Sequence, residues 1–446
     1  MSLLTERADL ASIRQDALNI FKAGIAAADP YQAVKRYLVP ALFNSYAKVH
    51  IIAFGKAACA MAHAASEIIP LHMLTDKGIA ITNYENVTKI ENIDIIGAGH
   101  PLPDDAGFKA AQLIAERVSK AQPNELILVL ISGGGSALLP YPAGSITLQE
   151  KLLTTNLLLA SGATINQINC VRKHLSLLKG GGLAKLAFPA HLHALILSDV
   201  LGDDLSSIAS GPTVADASTY AEAIEVFKDQ GVWDQVPDNV REHLEQGKLG
   251  AFPETPKPGD YLFKTTKYTL IGSNTISLNA TLQSANSLGY EAILYNDHLC
   301  GEAKLAGTAF VTQCIERRLK SPLQNKPIAL LAGGETTVTL KGNGHGGRNQ
   351  EMALAFALAA EQQNLSGNWA FLSGGTDGRD GPTDAAGGIV DTNTLNRMTK
   401  ASFKPLELLE NNDSYTALKA SDDLINTGAT GTNVADLQIA LIQPKP

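Results

Sequence analysis

The chain has few cysteines, and their spacing argues against two kinds of cysteine-based structure. Its four cysteines, Cys59, Cys170, Cys300 and Cys314, lie far apart in 446 residues and form no CxxC pair. Such spacing indicates neither a zinc knuckle nor a disulfide framework. We therefore expect a cytoplasmic protein with reduced thiols.

Clustered positive charge and long apolar runs are also absent. The formal net charge is -8 and no block of Lys and Arg occurs, whereas nucleic-acid binding requires a concentrated basic face. No uninterrupted run of about 18 apolar residues occurs, so we expect no membrane span. Residues 1–24 lack the basic start and short apolar block of a signal peptide, and their apolar spacing predicts an amphipathic surface helix.

Several common catalytic motifs are missing as well. The sequence has no P-loop GxxxxGK[ST], no kinase HRD and DFG pair, no GxSxG elbow and no HExxH helix. Their absence removes the commonest nucleotide-binding and hydrolase families.

The chain is rich in glycine, with 39 residues, and much of it lies at the ends of apolar runs. Four β-like runs stop on glycine and a small polar or charged residue before a predicted helix. They are IIAFGKAACA from Ile51, LVLISGGGSALL from Leu128, ALLAGGETTV from Ala329 and AFLSGGTDGRDG from Ala370. A buried parallel strand that ends in such a turn exposes backbone N–H groups, which bind phosphate. The pattern predicts a phosphate-binding protein.

The apolar runs form two series, which predicts two α/β domains, residues 1–255 and 256–446. Five runs in the first series predict a doubly wound parallel sheet: VHIIAFG, GIAITN, IDIIGAGH, LILVLISGG and LHALILSDVLGDD. We interpret the polar, proline-containing segment around Asp238 to Lys264 as a linker. The second series comprises KYTLIGSN, YEAILYND, PIALLAGGE, TTVTLKG, WAFLSGGTDG and LQIALIQ.

Two of the glycine turns contain candidate anion ligands. Lys56 follows a glycine, where it could present a point charge to phosphate or carboxylate; the alternative is a solvated lysine at a loop edge. Gly133, Gly134 and Gly135 allow an anion to approach the backbone. Ser136 adds a hydroxyl donor or metal ligand, and the alternative for this segment is a tight turn without a ligand.

Three acidic residues, Asp199, Asp203 and Asp204, follow the apolar run HALILS. Ligands of open α/β sheets bind at the carboxyl ends of strands, and phosphoryl transfer requires carboxylate-bound Mg²⁺. Helix capping is the alternative, since Asp is a favoured N-cap residue.

A second acidic group, Asp377, Asp380 and Asp384, lies among glycines in SGGTDGRDGPTDAAGG. Such a loop suits a metal site or a general base. An exposed acidic turn is the alternative. We interpret three histidines near glycine turns as structural: His100, His174 and His345.

Gly342, Gly344 and Gly347 have the G-x-G-x-x-G spacing of a dinucleotide-binding turn. The preceding TTVTLKG alternates like a half-exposed strand, and no acid falls at the usual offset, so we disfavour nicotinamide binding here. Arg348 opens the next helix, where its planar fork could bind a phosphoryl group or a carboxylate. The alternative is an arginine paired on the helix surface.

Seven ordered motifs extend over nearly the whole chain: FGKAA, GHPLPD, LISGGGSALL, INCVRKHLSLLKGGGLA, LILSDVLGDDLSSIASGPT, LAGGETTVTLKGNGHGGRNQEMALA and FLSGGTDGRDGPTDAAGG. Together they resemble the glycerate kinases of the MOFRL family. The resemblance implies an N-terminal Rossmann-like domain and a C-terminal mixed α/β domain with the MOFRL region at about residues 327–440. It also implies ATP-dependent phosphorylation of D-glycerate in a cleft between the domains, usually to 2-phosphoglycerate.

The resemblance further implies roles for individual residues. The family's suspected catalytic cations correspond to Lys56 and Arg348, and domain closure would bring them together. We hypothesise that Asp377 or Asp384 orients or deprotonates the glycerate hydroxyl. We further expect the ATP phosphates to be bound by Gly133, Gly134, Gly135, Ser136 and Glu335. The substrate carboxylate is assigned to Arg172 and Lys173, and Mg²⁺ is assigned to Asp199 and Asp203.

Two other functions stay open. Relatives labelled hydroxypyruvate reductases would use the fingerprint at Gly342 with NAD(P)H, and a non-catalytic sensor would bind an organic acid or a nucleotide. The number of carboxylates and cations at predicted strand ends argues against a sensor. As partners we expect D-glycerate and ATP, neither nucleic acid nor membrane, and a monomer or homodimer.

Overall fold

The computed structural model describes residues 3–320 and 326–443, which form two compact units. One unit contains Pro30–Ile271 and is called the parallel-sheet unit. The other combines the residues up to Asp29 with those from Gly272 onward and is called the mixed-sheet unit. This division differs from the predicted boundary between residues 255 and 256, because the first helix packs with the C-terminal sheet and one later strand joins the N-terminal sheet.

The strands are β1 (Val49–Phe54), β2 (Gly78–Asn83), β3 (Ile93–Ala98), β4 (Leu126–Ile131), β5 (His191–Leu197), β6 (Thr266–Gly272), β7 (Glu291–Leu299), β8 (Ile328–Gly334), β9 (Trp369–Gly375), β10 (Gly387–Asp391), β11 (Leu424–Ile425) and β12 (Asp436–Ile442). The helices are α1 (Leu3–Ala27), α2 (Pro30–Tyr37), α3 (Ala58–Ile68), α4 (Asp105–Ser119), α5 (Gly135–Leu138), α6 (Leu148–Ala160), α7 (Ile165–His174), α8 (Gly182–Ala187), α9 (Tyr220–Asp229), α10 (Asp238–Lys248), α11 (Asn274–Ser287), α12 (Ala303–Lys320), α13 (Arg348–Gln362), α14 (Thr394–Lys400), α15 (Pro405–Glu410) and α16 (Ser414–Ala420).

The parallel-sheet unit is built on six strands in the order β3-β2-β1-β4-β5-β6. The pairings from β3 through β5 are all parallel. Both β1 and β4 are buried along their whole length, as expected for strands covered by helices on both faces. Val129 in β4 belongs to one core cluster with Ile114 of α4 and Leu183 of α8. The predicted doubly wound parallel sheet is confirmed, and its five apolar runs form β1 to β5.

Two sequence predictions in this unit are wrong. The segment interpreted as a linker contains α10, where Val240 and Leu244 are buried four residues apart on one helix face. KYTLIGSN, assigned to the second domain, forms most of β6, which lies beside β5. His193 Nε2 lies 3.0 Å from Thr269 Oγ1 across this pair. The apolar stripe of α10 is too narrow to distinguish this helix from a linker. The half-polar pattern of β6 does not show which of the two sheets the strand joins.

The mixed-sheet unit has the strand order β11-β10-β9-β12-β8-β7. The β7–β8 pair is parallel and the other pairs are antiparallel. The central strands β8, β9 and β12 are buried throughout. Helix α13 covers one face, where Phe356 stacks on Phe371 of β9 with ring centroids 4.1 Å apart. The predicted mixed α/β domain is therefore confirmed.

Helix α1 belongs to the core of the mixed-sheet unit. It was expected to be a surface helix, yet Ile13, Ala17, Ile20 and Phe21 are buried in one cluster with residues of α11 and the sheet. The predicted helix is therefore correct, but it packs on β9, β10 and β12, which lie far later in the chain. Neither α1 nor any other helix in the described ranges is long and apolar enough to cross a membrane.

The region around the predicted strand TTVTLKG is irregular. Thr337 forms an isolated bridge with Glu302, and the rest of the segment is not a strand. Conversely, β10 and β11 were not predicted, because the glycine-rich GGIVD and the two-residue LI give no periodic signal. These two strands widen the antiparallel part of the sheet.

Candidate active site

The glycine turn after β4 brings two predicted ligands together. Gly134 has a φ of +82°, a conformation that favours glycine. A Cβ atom on Gly133 would lie 2.2 Å from Asp199 Oδ2, so glycine is needed for the carboxylate to lie against the turn. The Lys56 backbone N–H donates to the Gly133 carbonyl at 2.9 Å. Lys56 and Asp199 therefore meet this turn at the carboxyl ends of their strands, where ligands of open α/β sheets bind.

The Lys56 side chain is exposed and passes beside the same turn. Its Cε lies 3.4 Å from the position of a Cβ on Gly134, and the His100 ring lies 3.0 Å from that point. Among the residues that the structure describes, none forms a hydrogen bond or ion pair with Lys56 Nζ. Burial, and then the charge of Lys56, lowers the pKa of His100. The Lys56 ammonium is therefore available to an incoming anion.

Ser136 is contacted by a buried lysine that was not among the predicted site residues. Lys179 Nζ donates to Ser136 O at 2.9 Å, to Ser136 Oγ at 3.0 Å and to Ala209 O at 3.4 Å. Ser136 Oγ also lies 3.1 Å from Ser210 Oγ. Lys179 is 3% exposed, and these three acceptors are uncharged. Ser136 thus fixes the Lys179 side-chain nitrogen next to the glycine turn.

A cavity of about 410 Å³ lies beside the turn. Lys151 of α6, Arg172 of α7 and Lys179 line it, together with Gly134 and Ser136. The lining residues described by the structure include no Asp or Glu. We call this feature the cationic cavity. Its other walls are largely apolar and include Leu102, Pro103, Pro140, Leu152 and Leu159.

The three cations of the cationic cavity affect one another. Lys151 is 6% exposed, and its Nζ is buried without a hydrogen-bond partner in the described part of the chain. Burial, and then the charge of Arg172, lowers the pKa of Lys151 to about 7. Burial also lowers the pKa of Lys179 well below its ordinary value, with further contributions from Lys151 and Arg172. Such a site gains stability when an anion enters.

The two predicted carboxylate ligands on α7 have different environments. Arg172 lines the cationic cavity. Lys173 instead donates to Asp216 at 3.2 Å in a buried ion pair. Successive helix residues point about 100° apart, so one helix cannot direct both side chains into the same cavity. His174 is buried, with Nε2 3.1 Å from Glu254, which agrees with a structural role.

The acids after β5 have separate roles. Asp204 accepts hydrogen bonds from the Ser206 N–H at 3.0 Å and from the Ser207 hydroxyl at 2.6 Å, so it stabilises the local turn. Within the described ranges, no group of three or more His, Cys, Asp or Glu side chains could bind a metal ion. A magnesium ion that also contacts substrate phosphates needs roughly one or two carboxylates. Asp199 lies beside Gly133, and the assignment of Asp199 and Asp203 to Mg²⁺ stays a prediction.

In the mixed-sheet unit, Arg348 begins α13 and pairs with two acids. Its Nε donates to Asp436 Oδ2 at 2.6 Å, its Nη2 to Asp436 Oδ1 at 3.0 Å, and its Nη1 to Glu335 Oε1 at 2.7 Å. Asp436 is fully buried, and burial raises its pKa to about 6 against the opposing effect of Arg348. Arg348 is therefore held in place at the helix N-terminus, and Glu335, predicted as a cofactor ligand, is one of its partners.

The three acids of the second acidic group also differ. Asp380 is buried and accepts the backbone N–H groups of Asn349 at 3.1 Å and Gln350 at 2.8 Å, so it caps α13 from another loop. Asp377 is half-buried and accepts the N–H of Arg379 at 2.9 Å. Asp384 is exposed and accepts the Tyr415 hydroxyl at 2.8 Å. Asp377 and Asp384 thus keep part of their carboxylate surface accessible, whereas Asp380 is structural.

The fingerprint glycines pack against the chain itself. Cβ atoms on Gly342, Gly344 and Gly347 would each lie 2.3 Å from another residue of this unit. Those neighbours are Asn411, Asp413 and Asp380. The backbone N–H groups of residues 341–345 all donate to Asn411, Asn412 or Asp413. Because these donors are already used, the loop offers no row of N–H groups to a dinucleotide pyrophosphate. His345 belongs to this loop and is exposed.

Sequence reasoning missed three charged residues of these sites: Lys151, Lys179 and Asp436. Lys179 precedes the glycines of KGGGLA, a turn signal that could have marked it. Asp436 is an acid at the first position of a wholly buried strand, which is an unusual place for a charge. Lys151 has no such signal, because a lysine in a helix normally faces solvent.

The fold and these features define a two-unit α/β protein whose parallel-sheet unit combines a glycine turn, a carboxylate beside that turn and a cationic cavity suited to a small anion. Residues 16–245 match a family described as a domain of unknown function, DUF4147, and residues 328–436 match the MOFRL family. The chain belongs to the glycerate kinase family that combines these two regions.

Three comparisons document this membership. A D-glycerate 2-kinase of Thermotoga maritima is 42% identical over 97% of this chain and 99% of its own. A putative hydroxypyruvate reductase of Agrobacterium vitis is 42% identical over 97% of this chain and 95% of its own. The crystal structure of glycerate kinase from Thermotoga maritima has a TM-score of 0.89 and 42% identity, and covers 97% of this chain and 100% of that one.

Proposed function

We propose that this protein is an ATP-dependent D-glycerate 2-kinase. The 2-hydroxyl oxygen of D-glycerate forms a bond to the γ-phosphorus of ATP, the bond to the β,γ-bridging oxygen breaks, and the products are 2-phosphoglycerate and ADP. The name of the Thermotoga maritima relative supports this substrate and position. The observation that supports it most directly is the cationic cavity beside a glycine turn, since both substrates are anions.

In this proposal the glycine turn and Lys56 bind the transferring phosphoryl group. The turn of Gly133, Gly134, Gly135 and Ser136 lets an anion approach the backbone, and the Lys56 ammonium lies beside it without a partner in the described chain. Phosphoryl transfer proceeds mainly through positioning and neutralisation of the equatorial oxygens. A cation fixed at this turn would supply that neutralisation.

The mixed-sheet unit contributes Arg348 and Asp377. Asp436 and Glu335 fix the Arg348 guanidinium, so its charge would stabilise the transition state without a conformational search. Asp377 is half-buried at the end of β9, where a carboxylate could accept the proton of the 2-hydroxyl. Asp384, which is more exposed, would assist in orienting the substrate.

Asp199 and Asp203 would hold Mg²⁺. The Asp199 carboxylate lies against Gly133, where a bound phosphate would meet it, and carboxylate oxygens are the ligands that Mg²⁺ prefers. When bound, the ion would neutralise phosphate charge. Of the two residues, Asp199 is the one whose carboxylate oxygen is shown beside the turn, which supports its part of this proposal.

The reductase alternative derives from the fingerprint at Gly342 and from the name of the Agrobacterium vitis relative. The backbone N–H groups of residues 341–345 already donate hydrogen bonds within the protein. This argues against dinucleotide binding and therefore against the reductase. A spectrophotometric assay with hydroxypyruvate and NADH separates the two functions, because a kinase does not oxidise the cofactor.

The kinase proposal is tested by ADP formation in a coupled assay. We expect ADP release that requires both ATP and D-glycerate and that is absent with glycerol in place of D-glycerate. Oxidation of NADH by hydroxypyruvate would establish the reductase instead. If the protein turns over neither ATP with D-glycerate nor NADH with hydroxypyruvate, yet binds an organic acid, it would be a non-catalytic sensor.

A further inference from the structure

The cationic cavity buries basic side chains for which the described residues around it supply no carboxylate partner. Lys151, Arg172 and Lys179 line it, and the described lining includes no carboxylate. Lys179 is satisfied by neutral oxygens of Ser136 and Ala209. Lys151 Nζ has no partner in the described chain. Burying an unpaired ammonium is costly, so its retention here requires a ligand or a structural reason.

Lys173 gives an internal comparison. It is as deeply buried as Lys151, at 7% against 6% exposed, but its Nζ is 3.2 Å from Asp216 Oδ1. Among the residues that the structure describes, a carboxylate therefore pairs with Lys173 and none pairs with Lys151. Because Lys151 lines an open cavity and its Nζ has no hydrogen-bond partner in the described chain, a bound anion could supply the missing partner.

We propose that the cationic cavity binds the carboxylate of D-glycerate and that Lys151 is the residue that determines specificity for it. This inference rests on the proposed kinase function. Arg172 would add a planar guanidinium, which matches a carboxylate with two parallel hydrogen bonds. Lys179 would contribute charge while it remains bound to Ser136, so the carboxylate would lie next to the turn proposed for the phosphoryl group.

The walls of the cavity favour a small acid over a nucleotide. Leu102, Leu152 and Leu159 offer apolar surface, and His100 is the one aromatic side chain among the described lining residues. A nucleotide base would require hydrogen-bonding edges or aromatic stacking surfaces that these side chains do not provide. A three-carbon acid needs cations at one end and a hydroxyl partner, which the Asn156 amide at the cavity wall can supply.

The ionisable groups that line the cavity are His100, Lys151, Arg172 and Lys179. Burial, and then Arg172, lowers the pKa of Lys151 to about 7, so the ligand-free protein holds this lysine partly neutral near neutral pH. A carboxylate bound beside it would favour the charged form. Binding of D-glycerate at pH 7.5–8 is thus expected to draw a proton from the buffer, an effect that a purely structural lysine would not produce.

The test compares the full-length wild-type protein with K151M and K151Q. Both variants should raise the KM for D-glycerate about tenfold or more while the KM for ATP stays within about twofold. Calorimetric titration of D-glycerate in two buffers of different ionisation enthalpy should detect proton uptake in the wild type and none in the variants. K185M, which changes an exposed lysine of α8, is the matched control and should behave as wild type.

Folding is checked by thermal unfolding. K151M should unfold at the wild-type temperature or above it, because it removes a buried polar group that has no hydrogen-bond partner in the described chain. An unchanged KM for D-glycerate in both variants would overturn the inference while leaving the kinase intact. A raised KM for ATP with normal D-glycerate kinetics would also overturn it, because the cavity would then serve the nucleotide. A wild-type protein that does not phosphorylate D-glycerate would refute the proposed function itself.

Discussion

Arg348 binds the buried carboxylate of Asp436 with two hydrogen bonds, Nε to Oδ2 at 2.6 Å and Nη2 to Oδ1 at 3.0 Å. The Arg348 side chain is 33% exposed and that of Asp436 is fully buried. The pair therefore fixes one edge of the guanidinium inside the mixed-sheet unit, while Nη1 reaches Glu335 at the surface. The same arginine has a structural and a proposed catalytic function.

This double function predicts different results for two substitutions of Arg348. R348A leaves Asp436 buried and unpaired, so the free energy of unfolding should fall by about 3 kcal/mol or more. R348K keeps the charge and should retain the fold better. Its turnover should nevertheless fall about a hundredfold, because an ammonium cannot reproduce the paired hydrogen bonds of a planar guanidinium. Urea unfolding and steady-state kinetics measure the two effects. A fully active R348K would contradict the catalytic assignment.

Lys56 allows a cleaner test of catalysis than Arg348. Its side chain is exposed and, in the described chain, unpaired, so K56M should change the free energy of unfolding by less than about 0.5 kcal/mol. Turnover should nevertheless fall about a hundredfold or more if the ammonium neutralises the transferring phosphoryl group. Kinetics and thermal unfolding of K56M and of the control K185M provide the measurement. Near-wild-type turnover in K56M would exclude this role.

The buried lysines predict how stability depends on pH. Burial lowers the pKa of Lys151 from 10.5 to about 7. Between these values the unfolded chain binds the proton and the folded chain does not, so this group makes the free energy of unfolding rise with pH. In K151M that contribution disappears. The free energy of unfolding of the wild type, measured in the absence of ligand, should therefore rise relative to that of K151M as the pH rises from 7 to 10.

The same linkage predicts the pH dependence of substrate binding. Affinity for D-glycerate should weaken above about pH 7. In a larger fraction of the molecules Lys151 is then neutral, and it must take up a proton to bind the carboxylate. Affinity in K151Q should be weaker but nearly independent of pH in this range. A wild-type affinity that is constant between pH 6.5 and 9 would argue against a titrating lysine at the site.

Asp380 is expected to act on stability and not directly on catalysis. It caps α13 through the N–H groups of Asn349 and Gln350. D380A should lower the free energy of unfolding by about 1–2 kcal/mol, the usual effect of losing an N-cap. Turnover per folded molecule should change much less than in D377A. Equal losses of turnover in the two variants would show that Asp380 belongs to the reaction as well.

Part of this architecture could be predicted from the sequence because it depends on local pattern. β1 and β4 are apolar at every position, which indicates strands buried on both faces, and the glycines after them mark the turns. Lys56 is a candidate site residue because it adjoins such a turn. Arg348 is a candidate because it opens a helix after a glycine-rich loop.

The remaining features depend on contacts between distant segments. Lys151 lies in LQEKLLTTNLLLA, where nothing distinguishes it from a surface lysine until α7 and the glycine turn pack around it. The glycines at 342–347 match a dinucleotide motif, yet they accommodate Asn411 and Asp413. Lys173 and Asp216 lie 43 residues apart, so their pairing has no local signal.

The central claim, phosphorylation of D-glycerate on carbon 2, is tested most directly by phosphorus NMR of the products. The purified protein is incubated with ATP, Mg²⁺ and D-glycerate, and the new phosphomonoester signal is compared with authentic 2- and 3-phosphoglycerate. The account predicts 2-phosphoglycerate in amounts equal to the ADP formed. A spectrum with 3-phosphoglycerate alone, or with no new phosphomonoester, would contradict it.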